Sequence, residues 1–197
     1  MHEFWLYFEL GLRHVLNLHA YDHALFLIGL TIPYTFNDWR KWLLLISLFT
    51  LGHTISLLLS VFGVVYFSAT WVEFLIPITI LIVALFNLFT AGKSNKGENI
   101  TLVAIVTIVF GIIHGLAFAN DFKSLLPGKA SDKLLPLGEF ALGIECAQLI
   151  VVIIVLIISF LIQTIFRFSK RDWTLVMSSF VIGVVTPLII QSPIWHR

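Results

Sequence analysis

His14, His19, Asp22 and His23 fall within ten residues of one another near the start of the chain, inside a stretch that is otherwise mostly apolar. His53, with Ser56 one turn on, then His114, then Glu139, Glu145 and Gln148 recur in similar surroundings, and Glu73 stands near the start of another apolar run. His19 and His23 are four apart and His19 and Asp22 three apart, so each pair shares a helical face. Two imidazoles at that spacing can share one metal ion. Cys146 is the one cysteine, which excludes an internal disulfide or thiolate cluster and leaves nitrogen and oxygen as the metal donors. Imidazole with carboxylate suits nickel, cobalt and zinc.

Plainer roles stand beside these. A buried histidine can serve as interhelical glue by bonding a carbonyl or carboxylate. His14, His19 and Glu73 lie where a wet interface would satisfy them, and Ser56 reads first as a hydroxyl bonded back to its own helix. Glu9 and Arg13 read as a surface pair, His2 and His196 as solvated termini, the phenylalanines as lipid-facing or packing groups, and Cys146 as packing.

The elements that must position these groups are membrane helices. Hydrophobic residues make up 59% of the 197 and charged ones 12%, with a mean hydropathy of +1.00, which excludes an ordinary soluble domain. Because lipid offers an unpaired backbone no partner, long apolar runs read as helices. The pattern predicts a single all-α transmembrane domain over residues 1–197, a polytopic bundle of about six spans: 16–34, 42–65, 71–91, 100–118, 137–166 and 173–190, with a polar loop at 120–136. The net charge of +1 carries no basic run, so the lipid bilayer, not nucleic acid, is the expected partner. The start of the chain has no Lys or Arg ahead of its apolar stretch and does not read as a removable signal peptide.

Lys and Arg in alternate loops divide seven against five. By the positive-inside rule this places both termini outside, in the periplasm for a bacterial inner membrane. In that topology Glu145 lies about 12 Å below the outer surface at 1.5 Å per residue. His23, His53 and His114 also fall in the outer half. Charged and ionisable groups at membrane depth normally face a bundle interior and find partners, so convergence of these four segments is expected. Gly111 and Gly115 beside His114, and Gly138 and Gly143 beside Glu139 and Glu145, leave room for neighbouring helices.

Four stretches resemble a known family in order along the chain. They are Gly11-Leu-Arg-His14 with Asp22-His23-Ala-Leu-Phe26, Thr50-Leu-Gly-His53-Thr-Ile-Ser56-Leu, Gly111-Ile-Ile-His114-Gly115 and Gly143-Ile-Glu145-Cys-Ala-Gln148-Leu. Together they look like the HupE/UreJ family of bacterial membrane proteins. The resemblance implies a secondary permease for nickel or cobalt, linked to hydrogenase and urease maturation. The family's first motif is a His, five residues, then Asp-His; here seven residues separate His14 from Asp22, with His19 between them. His23, His53, His114, Asp22 and Glu145 are thus the expected metal-binding residues, with His14, His19, Glu139, Gln148, Ser56 and Glu73 as further candidates.

Under this expectation a divalent transition metal, nickel before cobalt or zinc, passes inward through a His and carboxylate site in the outer half of the bundle. The rival is an intramembrane zinc-dependent metallohydrolase with Glu145 or Asp22 as general base and the 120–136 loop as a lid. The inner halves of the spans, offering only groups such as Ser47, Thr50, Asn87 and Gln163, favour that rival. Ligand imidazoles must be neutral, so protons compete with metal below about pH 6.5. Uptake should fall as pH drops from about 7.5 to 5.5, and a flat profile in a liposome assay over that range would exclude these ligands.

Overall fold

A computed structural model describes residues 2–17, 21–92, 100–126 and 133–196. The described residues form helices α1 (His2–Leu16), α2 (Asp22–Thr31), α3 (Trp39–Val61), α4 (Ala69–Thr90), α5 (Ile100–Leu125), α6 (Leu134–Ile165) and α7 (Lys170–Ile190). Short 3-10 turns at Phe36–Asp38 and Pro193–His196 flank the bundle. Five helices, α3 to α7, are long and apolar enough to cross a membrane.

The expected first span is not one continuous helix. Leu16 closes α1 and Asp22 opens α2, a 10-residue apolar helix. Electrostatics favours ends here: Arg13 and His14 lie in the last turn of α1 and Asp22 in the first turn of α2, each matched to the dipole of its terminus. The segment before the break is therefore a helix in its own right, packed on α6. The expected loop at 120–136 is also shorter, because α5 runs on to Leu125 and α6 starts at Leu134.

Glycine sets the closest approaches, since without a driving force from water, membrane helices gain from backbone proximity. On the α3–α5 interface Gly52 faces the Ile108 carbonyl, Gly111 the Phe49 carbonyl, and Gly115 the His53 carbonyl and Ser56 hydroxyl. On the α1–α6 interface Gly11 faces the Phe140 carbonyl and Gly143 the Phe8 carbonyl. Gly138 departs from expectation: it is exposed and nothing lies within 4 Å of where its side chain would begin. In the second layer α4 packs on α7, and α2 fits among α4, α6 and α7. The Asn87 amide of α4 donates to the Gly29 carbonyl of α2 at 2.6 Å.

Three contacts fix the register of the ends. The Tyr7 hydroxyl donates to the Leu125 carbonyl at 3.2 Å, Lys123 lies over the Tyr66 ring at 5.9 Å, and Trp195 meets Phe74 edge to face at 5.5 Å. Both ends of the described chain therefore share one face of the bundle with the α3–α4 connection and the end of α5. Trp39, Trp71 and Trp195 are exposed near helix ends, as an aromatic belt requires, whereas Trp173 is buried.

Substituting Gly52 with Ala drives a methyl into the Ile108 carbonyl and should cost about 1–3 kcal/mol by overpacking. Gly138→Ala should leave the thermal unfolding midpoint in detergent unchanged or slightly raised. Equal effects at the two positions would contradict the packing described.

Candidate metal centre

His14 and His23 stand on opposite sides of the break in the first span. Nine residues along an unbroken helix would hold them about 13.5 Å apart, yet their rings are 4.6 Å apart between centroids. The break is what brings them together. His53 of α3 completes a cluster, with centroids 5.7 Å from both His14 and His23. One ligand nitrogen from each of the three lies within 4.8 Å of the others. A tetrahedral ion with bonds of about 2.1 Å holds its donors about 3.4 Å apart, so closing onto an ion takes only small side-chain rotations.

His114 of α5 abuts this group, its ring centroid 5.2 Å from that of His23. Its Nδ1 lies 2.8 Å from the Phe110 carbonyl. Since a carbonyl can only accept, Nδ1 carries the proton and Nε2 presents a lone pair, the tautomer a metal ligand needs.

Phenyl rings wall the cluster. Phe118 lies 4.1 Å from His14, Phe49 and Phe26 lie 5.1 and 5.3 Å from His114, and Phe140 lies 5.7 Å from His14. Those rings give imidazole nothing to bond. His14 Nε2, His23 Nε2, both nitrogens of His53 and His114 Nε2 are buried without a hydrogen-bond partner among the described residues. Buried polar groups are normally paired, and ring nitrogens left without protein partners at one point are donors that a metal ion could take up.

The carboxylates are placed differently. Glu145 Oε1 accepts from the Ser47 hydroxyl at 2.6 Å on the α3–α6 seam and does not join the imidazole group. Glu139, close to the start of α6, is buried with Oε2 unpartnered. Asp22 is half-buried directly before His23, while Glu73 is exposed on α4. Ser56 donates to the His53 carbonyl at 2.8 Å, the backbone role expected for it, and Gln148 pairs with Thr50 at 3.0 Å. Glu9 and Arg13 form the expected exposed pair, 2.8 Å apart. His19 lies outside the described residues.

His14, one of the further candidates by sequence, thus stands at the centre. The phenyl wall was missed altogether, because an aromatic facing a site and one facing lipid have the same hydropathy. Spacing held one usable signal: Phe26 lies three residues after His23 and Phe49 four before His53, on the same helical faces.

No curated protein and no solved structure matches the chain. The family model described as HupE / UreJ protein matches residues 1–191, nearly the whole sequence, and the chain belongs to that family.

Proposed function

We propose that this protein carries a divalent transition metal ion, nickel or cobalt, across a bacterial inner membrane, with both termini periplasmic and the ion held at His14, His23 and His53. The observation that carries the proposal is the set of orphaned imidazole nitrogens converging from α1, α2, α3 and α5. Interhelical glue would show these nitrogens bonded to carbonyls or carboxylates; among the described residues His114 Nδ1 meets a carbonyl, while Nε2 of His14, His23 and His114 and both nitrogens of His53 have no such partner. Membership of the HupE/UreJ family, known for nickel and cobalt transport, points the same way.

Imidazole nitrogens replace part of the ion's hydration shell, and His114 Nε2 offers a further ligand as the ion settles. Charge is the remaining requirement, because neutral imidazoles do not offset a dication in a low-dielectric setting. Asp22, directly before His23, and Glu139, whose buried Oε2 has no hydrogen-bond partner among the described residues, are the candidates for this, whereas Glu145 accepts from Ser47. The rival metallohydrolase draws on the same geometry: three histidines leave a fourth position for water, with Asp22 or Glu145 as the general base.

Purified protein in liposomes, assayed for metal content and for nickel and cobalt uptake, separates these readings. Wild type should bind and transport metal; His14→Ala and His53→Ala should each lower affinity roughly tenfold or more, as removal of a direct ligand must exceed the effect of removing its support. Bound metal that never crosses the bilayer favours the hydrolase, and protein that binds none returns the histidines to packing. In nickel binding to the purified protein measured without sodium, Glu139→Gln should weaken affinity more than Glu145→Gln. The reverse order would make Glu145 the counter-charge.

A further inference from the structure

A second polar cluster lies where α3 crosses α6. The two helices run antiparallel: His53 meets Phe140 near the N-terminal face of the bundle, and the turn preceding α3 lies against Ser159 and Gln163 at the far end of α6. At the crossing, Ser47 pairs with Glu145 at 2.6 Å and Thr50 with Gln148 at 3.0 Å. Thr50 precedes His53 by three residues, about 4.5 Å along the helix, so this cluster adjoins the imidazoles on the side away from the N-terminal face.

Proton accounting identifies what it lacks. The Thr50 hydroxyl has one proton and two acceptors within reach, the Ile46 carbonyl at 3.2 Å and Gln148 Oε1 at 3.0 Å. With the amide so turned, Gln148 Nε2 is wholly buried and unpartnered. The opposite turn of the amide, sterically equivalent, lets Thr50 donate to Ile46 and accept from the amide nitrogen. That arrangement gives Thr50 one donated and one accepted bond, leaves its second lone pair open, and makes a buried carbonyl oxygen the orphan. The seam then presents an unpaired amide oxygen, a carboxylate and two hydroxyl oxygens, all from two helices. Ser47 and Glu145 keep accessible surface, leaving room for an ion on that side, while Gln148 closes the other.

We propose that the α3–α6 seam, formed by Ser47, Thr50, Glu145 and Gln148, is a second cation site that takes a hard monovalent ion of the sodium type. Oxygen donors without imidazole or thiolate suit hard cations over nickel or cobalt. A single carboxylate balances a single positive charge, so a monovalent ion leaves the buried seam neutral and a divalent one does not. Resting on the transport reading, its place beside the imidazole site makes it the site of the coupling ion. Binding of that ion stands apart from transport.

Equilibrium dialysis of sodium-22 against purified, metal-free protein should reveal a saturable site. Thr50→Val and Gln148→Leu should each weaken it roughly tenfold or more, as loss of one oxygen ligand does, without changing nickel affinity, while His53→Ala should lose nickel and keep sodium. Absence of saturable sodium binding in the wild type overturns the site, as does binding untouched by both seam variants. In liposomes an inward sodium gradient should accelerate nickel uptake by the wild type and not by Thr50→Val. Nickel uptake by wild type that ignores sodium overturns the coupling. Saturable sodium binding with no nickel transport leaves the seam site standing and overturns the transport reading instead.

Discussion

A ring nitrogen enclosed by phenylalanine has lost its water and gained nothing in return, and the fold must tolerate that cost at several atoms at once. Leaving a buried polar group unpaired costs about 1–3 kcal/mol. His14, His23, His53 and His114 incur it together within a few ångströms. Selection for stability alone would replace them with Leu or Phe, which the surrounding rings would accommodate. A metal ion held by three of them, as proposed above, would offset that cost in one step, and the rest of the bundle keeps the imidazoles facing one another.

That arrangement depends on backbone contact more than on side-chain interlocking. The α3–α5 pair meets through Gly52, Gly111 and Gly115, and the α1–α6 pair through Gly11 and Gly143. His53 and His114 belong to the first pair and His14 to the second, so each imidazole is carried on a helix held at close range. Gly115 faces the His53 carbonyl itself, with Ser56 bonded to the same oxygen. The glycines thus act on position first and on stability second.

Most of the architecture was legible in the sequence, because lipid imposes length and hydropathy so strictly that four of the spans could be placed to within a few residues at both ends and a fifth, α5, at its start. The histidine convergence was legible too, since ionisable groups at depth have few reasons to exist singly. Two things were not. A helix break inside an apolar run leaves the average hydropathy unchanged, so only the pairing of Arg13 and His14 with Asp22 hinted at it, and without it His14 looked too far from His23. Nor does spacing alone tell which carboxylate is already engaged: the family motif put Glu145 ahead of Glu139, but Glu145 accepts from the Ser47 hydroxyl while Glu139 is buried with Oε2 unpartnered among the described residues.

The interrupted first span sets two of the four clustered histidines on separate helices, His14 on α1 and His23 on α2. Donors fixed on rigid helices bind tightly because little ordering remains to be done, but a rigid claw holds its ion and does not let go. In the proposed centre the three donors ride on three different helices, His14 on α1, His23 on α2 and His53 on α3. Small rotations of one half-helix against the other would change the bite, and with it the grip, without disturbing the glycine-packed pairs around it.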